Sequence, residues 1–356
     1  MSKNISYIQL FVIAFVLLIV FGCKRYSEDS YMGPVVRPAP DGFFVQDNIF
    51  KADKDVADFT SSNLIFSSSF SHEVSWTILI KGLKSGAVKE IKGTSSGLNA
   101  YNSTWNGNSS GIFFFRKDEI CIAELRFMGS ELILRDTVVI SHPILYDRKE
   151  INGVKHNLID DFEGNGVPIA AASKDAYDRN VTMTMDTFSM QGLKGYRMAG
   201  FDLNKNSWSG GITHNTLLEM KTTARVPETS DPDNLYVNLY VYGSGKPNSA
   251  IQIKLYEVDS DDDFNKVPSY TYRQDVNDAW IMDIPVTWKG WKLVSKKYSQ
   301  FTVARDPALG GNGNKIKQPN RITGMGISLL SLPDPGSDTE VIIDYVILTE
   351  GGVFVP

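Results

Sequence analysis

Seven polar and aromatic residues, spaced two apart on two segments, are the part of this chain best suited to bind a ligand. In Leu235-Tyr-Val-Asn-Leu-Tyr-Val-Tyr242 the alternation is clean. Successive side chains leave opposite faces of a strand, so Tyr236, Asn238, Tyr240 and Tyr242 share one face. Leu235, Val237, Leu239 and Val241 share the other. After Gly243-Ser244-Gly245, the run Ile251–Tyr256 repeats the pattern, with Gln252, Lys254 and Tyr256 opposite Ile251, Ile253 and Leu255. If the two segments form a hairpin, the seven residues line one surface. Sugar rings pack their C–H groups on aromatic faces, while amides and a lysine exchange hydrogen bonds with hydroxyls, the usual mixture in a ligand site. The competing reading is a solvated sheet face whose tyrosines serve strand propensity. Trp208, before Ser-Gly-Gly, and Trp280, after Asp275-Val-Asn-Asp278, are further candidate sugar platforms, because loops carry function more often than cores.

Catalytic signatures are sparse. Neither G-x-S-x-G nor a phosphate loop occurs. Paired carboxylates hydrolyse glycosides, and Glu257 lies near Asp259, but no E-x-D-x-x-E-like strand signature of jelly-roll glycosidases is present. The stretch from Asp259 has Phe264 where a calcium-binding EF-hand loop needs Gly and Tyr270 where it needs Glu, so it reads as a charged hairpin turn. His72, His142, His156 and His214 have no zinc-like spacing. Cys121 sits in the strand-like Glu119-Ile-Cys-Ile-Ala123 and reads as a buried, inert thiol. A net charge of −5 and a pI near 5.5 argue against a nucleic-acid partner.

The elements that must position these residues are strands. From 51 to 148, Asn63–Phe66, Val74–Ile80, Gly111–Phe115, Ile120–Phe127 and Glu131–Ile140 are β-branched and aromatic, punctuated by Gly and Ser. Trp105-Asn-Gly107 followed by the aromatic run resembles a bacterial immunoglobulin-like module, with Trp76 and Trp105 as core or turn residues. From 149 to 356 the strands are Tyr196–Phe201, Asn234–Tyr242, Ala250–Val258, Trp291–Ser295, Thr323–Leu330 and Glu340–Leu348. No helical crossover separates them, which favours a jelly roll over a parallel α/β sheet. The expected class is all-β: an N-terminal immunoglobulin-like sandwich followed by a C-terminal jelly roll, which the segments Asp160–Glu163, Trp288–Val294 and Val341–Ile347 make similar to galactose-binding-like modules.

At the start of the chain, Lys3 precedes an apolar run from Ile8 to Phe21 that ends in Gly22-Cys23. A charged start, a short apolar core and a small residue make a secretory signal. Gly-Cys at that point resembles a bacterial lipobox. The resemblance implies removal of residues 1–22, lipidation of Cys23 and a tether over 23–50, rich in Ser, Pro and Gly. Ser27-Glu28-Asp29 resembles the acidic surface-export signal of Bacteroidota-type lipoproteins, which implies the outer face of the outer membrane.

Four further segments occur in order: Asp160-Asp-Phe-Glu163, the Tyr-rich strand ending Gly-Ser-Gly-Lys246, Trp288-Lys-Gly-Trp291-Lys-Leu-Val294 followed by Phe301, and Val341-Ile-Ile-Asp344-Tyr-Val-Ile347. Together they resemble family 11 carbohydrate-binding modules. That resemblance implies core roles for Trp291 and Phe301. It also implies a structural calcium held by Asp161, Glu163 and Asp344, since such an ion takes six to eight oxygens. The expected function is non-catalytic capture of a polysaccharide or oligosaccharide at the cell envelope, beside a transporter and hydrolase. An adhesive lipoprotein with a protein partner, and an unrecognised glycosidase or lyase, are the alternatives.

Overall fold

The structure, a computed structural model, describes residues 36–167, 169–174, 180–201, 208–214, 220, 224–266, 273, 275–304, 312–331 and 338–356. Cys23 and Ser27-Glu28-Asp29 lie outside the described residues. The first domain contains β1 (Lys51–Ala52), β2 (Val56–Asp58), β3 (Leu64–Gly82), β4 (Val88–Leu98), β5 (Thr104–Trp105), β6 (Glu119–Phe127) and β7 (Ile133–His142). The two strands expected over 63–80 are one continuous strand of 19 residues, β3. Its first half pairs with β1 and β5, and its second half with β4 and β6. Only β2 and β7 run parallel among these ladders. The alternating Val74, Trp76, Ile78 and Ile80 are buried, and Trp105 packs between Phe59 and Phe115. Cys121 is fully buried, and burial pushes its thiol far up, so it is the inert residue expected.

The second domain contains β8 (Lys149–Ile151), β9 (Val154–Asp160), β10 (Ile169–Lys174), β11 (Val181–Asp186), β12 (Gly195–Gly200), β13 (Trp208–His214), β14 (Leu235–Ser244), β15 (Ser249–Glu257), β16 (Ala279–Pro285), β17 (Lys289–Lys297), β18 (Thr302–Val303), β19 (Ile322–Ser331) and β20 (Thr339–Glu350). They form a two-sheet jelly-roll sandwich. One sheet runs β10-β13-β19-β15-β16-β18, and the other β11-β12-β20-β14-β17 with β9 and β8 joined to β20. Val237, Leu239 and Val241 from one sheet share a core with Ile251, Ile253 and Leu255 from the other. The charged turn expected after Asp259 is instead a five-residue helix over Asp261–Asn265, its first turn acidic and its N-cap Ser260.

The two domains are joined by a buried aromatic seam. Residues 111–115, expected as a strand, form no ladder. They thread between the domains instead: Phe115 enters the first core, while Phe114 packs 4.7 Å from Tyr345 and 5.3 Å from Tyr240, ring centre to ring centre. Tyr146 and Phe354 complete the cluster at 5.0 Å from each other. Polar clasps frame it. Tyr240 Oη donates to Ile112 O at 2.7 Å, and Arg225 Nη2 reaches Asp147 Oδ2 at 2.7 Å. Truncating a buried Phe costs roughly 3–5 kcal/mol. Phe114→Ala is therefore expected to lower the calorimetric Tm and to speed proteolysis of residues 143–148. An unchanged Tm with unchanged cleavage would contradict a seam that holds the domains together.

Candidate functional site

The expected seven-residue surface does not form, because β14 and β15 do not pair. β14 lies between β17 and β20, and β15 between β16 and β19. Each strand has one fully apolar face, and both faces are buried best by meeting across the sandwich rather than side by side. The connection leaves β14 through Gly245, whose φ of 84° favours glycine, while Gly243 is still within β14. Tyr236, Asn238, Tyr240 and Tyr242 therefore line the outside of one sheet, and Gln252, Lys254 and Tyr256 the outside of the other.

The β14 set is mostly covered. Asn238 and Tyr240 have no exposed surface. Asn238 Nδ2 donates to Thr349 Oγ1 at 2.9 Å, and its Oδ1 accepts from Phe354 N. Tyr240 belongs to the domain seam. Neither residue reaches solvent, so both are corrected from glycan contact to structural roles. Tyr236 and Tyr242 are half-buried, with Lys297 Nζ 5.7 Å from the Tyr236 ring centre. Trp280 is corrected as well. Its position opposite Leu255 puts it in the sandwich core, with Nε1 donating to Glu257 Oε2 at 2.9 Å. Phe301 lies in that core as expected, but Trp291 sits on the outer face of β17, half-buried.

The β15 set stays together and gains Trp208. Three cross-strand rows order the outer face: Trp208–Leu330–Ala250–Pro285, Gly211–Ser328–Gln252–Asp283 and Thr213–Gly326–Lys254–Ile281. Tyr256 follows in the next row, opposite Gly324. Trp208 is 37% exposed and donates from Nε1 to Ser328 Oγ at 2.9 Å. Gln252 Nε2 donates to Asp283 Oδ1 at 2.8 Å. Lys254 is buried, only 7% exposed, with Nζ 4.7 Å from the Tyr256 ring centre, so its expected sugar contact is corrected to packing against that ring. The Tyr256 ring passes over Gly326, close enough that an added Cβ there would touch it at 3.7 Å. Burial pushes the Tyr256 phenol up to about 12, so it stays a neutral donor at physiological pH. Glycines thus pave a strip with an indole near one end and a phenol at the other. The backbone rows lie about 20 Å apart along the strand direction, but both side chains lean inward, the indole onto Ser328 and the phenol over Gly326. Sequence reasoning found β19 as the strand Thr323–Leu330 but not that β13, β16 and β19 share this face with β15, because alternation marks which residues point inward and not which strands are neighbours.

Two carboxylate groups organise the loops. Glu257, Asp259 and Asp278 have oxygens within 4.8 Å of one another. Glu257 accepts from the Tyr298 hydroxyl, from Trp280 and from Gln318 N. Asp259 accepts from Asn314 N, and Asp278 from Gly313 N and Lys315 N. These acids fasten residues 313–318 to the ends of β15 and β16. Burial pushes Glu257 up to about 7 and Asp259 to about 6.

The second group includes the predicted calcium ligands. Asp344 Oδ2 accepts from Met190 N (2.7 Å) and Gln191 N (2.8 Å), and Glu163 Oε1 accepts from Leu193 N and Lys194 N. Asp161 turns back on its own loop, accepting from Glu163 N, Asn165 N and Asn165 Nδ2. Two buried acceptors, Asp344 Oδ1 and Gln191 Oε1, have no donor. Burial holds Asp344 well above the usual carboxylate range, and the Glu163 charge adds to that. Orphaned oxygens beside a second carboxylate suit a hard cation. Among the described residues, however, only Glu257, Asp259 and Asp278 bring carboxylate oxygens within 4.8 Å of one another, and the expected set of Asp161, Glu163 and Asp344 does not.

The first domain carries an open groove of about 870 Å³, lined by Arg37, Glu73, Trp76, Lys92, Arg126 and Met128 among others. Trp76 is only 2% exposed there, so the groove lacks an aromatic platform.

No family model matches the chain, and no curated protein does so. Several solved structures are similar. A family 11 carbohydrate-binding module from Clostridium thermocellum, in complex with a β-1,3-1,4-mixed-linked tetrasaccharide, is 13% identical with a TM-score of 0.35, over 54% of this chain and 94% of that one. SGBP-B from a complex xyloglucan utilization locus in Bacteroides uniformis is 11% identical with a TM-score of 0.34, over 84% of this chain and 72% of that one. A family 30 carbohydrate-binding module is 13% identical with a TM-score of 0.31, over 51% and 94%. Likenesses this distant assign neither family nor ligand.

The Glu257 group gives a pH prediction. A carboxyl whose folded pKa is raised holds its proton more tightly when folded, so its contribution to stability is full below its unfolded pKa and is lost as pH rises through the folded one. For Glu257 that window runs from about 4.5 to about 7. The wild-type Tm minus the Glu257→Gln Tm is expected to fall as pH rises across it. A difference independent of pH would contradict the buried, protonatable state.

Proposed function

We propose that this chain is a non-catalytic, lipid-anchored protein that captures glycan on the outer face of the β10-β13-β19-β15-β16-β18 sheet. One observation carries the reading: Trp208 and Tyr256 flank a glycine-paved strip edged by the Gln252–Asp283 amide–carboxylate pair, Ser328 and Thr213. Aromatic surface packs on sugar C–H groups, and the polar side chains meet hydroxyls. Asp283, in the strip itself, is held by Gln252, and Glu257 and Asp259 are the carboxylates at and just after the end of β15. They are occupied by backbone amides and core side chains, which favours a structural role over acid–base work. The apolar run ending at Cys23 supports a lipid anchor. The first domain, fixed by the seam, would hold the strip away from the membrane beside a transporter complex. Calcium bound by Glu163, Gln191 and Asp344 would neutralise the buried acid and lock residues 187–194 against β20.

Affinity electrophoresis of the full chain against soluble glucans, xylans and mannans, with reducing-sugar release assayed alongside, tests the reading. Retention without release is expected, and release would overturn the non-catalytic assignment. Trp208→Ala and Tyr256→Ala should each weaken retention roughly tenfold or more, whereas Tyr240→Phe should leave it unchanged. Calcium at a hundredfold excess over Kd is worth about 2.7 kcal/mol, so adding a chelator should lower the Tm by several degrees, and Asp344→Asn should abolish that response. Equal Tm with and without chelator would contradict a bound ion. Cys23→Ser should abolish incorporation of labelled palmitate.

A further inference from the structure

We propose that Phe188, Tyr242 and Trp291 form a second glycan-contact site, on the outer face of the opposite sheet; this rests on the glycan-binding reading above. The three rings make one platform. Phe188 lies 4.9 Å from Tyr242, nearly perpendicular to it, and 5.6 Å from Trp291 at an interplanar angle of 30°. Tyr242 and Trp291 are direct cross-strand partners and lie 5.6 Å apart. Phe188 is 46% exposed, while its two companions are half-buried and held by the sheet.

The same cross-strand row continues through Ile342 to Arg197. The Arg197 guanidinium is paired with Glu340 and lies 3.5 Å from Asp186. Aromatic faces therefore stand beside a fixed array of donors and acceptors. Three rings and three charged groups match a sugar segment, whereas a stable protein partner covers about 800 Å² on each side. The segment bearing Phe188 is also preorganised. Its amides at Phe188, Met190, Gln191, Leu193 and Lys194 are held by Asp186, Asp344 and Glu163. A fixed platform binds without the cost of ordering a loop. The sequence does not reveal the site, because Phe188 and Trp291 are 103 positions apart and lie on different elements.

The two sites lie on opposite surfaces of the sandwich, whose sheets pack about 10 Å apart. A short oligosaccharide cannot touch both, so each chain should bind two. The test is calorimetric titration of the full chain with a short oligosaccharide of a glycan that retains it. Two molecules per wild-type chain are expected. Trp208→Ala should leave one, sensitive to Phe188→Ala, and Phe188→Ala alone should weaken only the second by roughly tenfold. Phe188 is exposed on a loop, so its truncation spares the core. One molecule per chain, lost in Trp208→Ala and unchanged in Phe188→Ala, would overturn the second site and leave the first reading intact. No binding of any glycan would overturn both.

Discussion

Tyr240 lies at the point on which the use of every other surface depends. Its hydroxyl is bound to Ile112 of the first domain, its ring is covered by Phe114, and Phe354 lies against the same cluster. Burying aromatic rings is worth more than leaving a tyrosine-rich sheet face in water. The first domain therefore sits on the outside of the β14 sheet. That docking removes the centre of one sheet face from any ligand and leaves Tyr236 and Tyr242, at the two ends of β14, half-buried. It also makes the junction over 143–148 a packed element, with Tyr146 fully buried, rather than a hinge.

The strands themselves were legible. Alternation in Leu235–Tyr242 and Ile251–Tyr256 marks β14 and β15 correctly, and their apolar residues form the core. What alternation cannot state is which strand lies beside which. Two strands with one apolar face each can be neighbours in a sheet or partners across a core, and the short Gly-containing turn permits either. Here they are partners across the core, so the seven candidate residues divide between two surfaces. Trp280 misled for a related reason. It follows a polar loop but opens β16, where its register opposite Leu255 turns it inward. Phe113-Phe114-Phe115 has strand composition, yet its three rings face solvent, seam and core in turn, which no local pattern reveals.

Carboxylates do a second kind of work. The Glu257 group sits at the ends of β15 and β16 and Asp344 within β20, and both groups capture backbone amides of loops distant in sequence, satisfying donors that no ladder reaches. The cost is desolvation of the charge, which raises Glu257, Asp259 and Asp344. Each group keeps a buried oxygen without a donor, Asp259 Oδ1 in the first and Asp344 Oδ1 in the second. Sequence composition does not distinguish the two.

The central claim is that glycan lies on the strip between Trp208 and Tyr256. A crystal structure of the full chain with a bound oligosaccharide tests it most directly. The account predicts sugar rings packed on Trp208 and Tyr256, with hydroxyls hydrogen-bonded to Gln252, Asp283 or Ser328. Sugar bound elsewhere with that strip bare, or rings lodged at the first-domain groove beside Trp76, would contradict it.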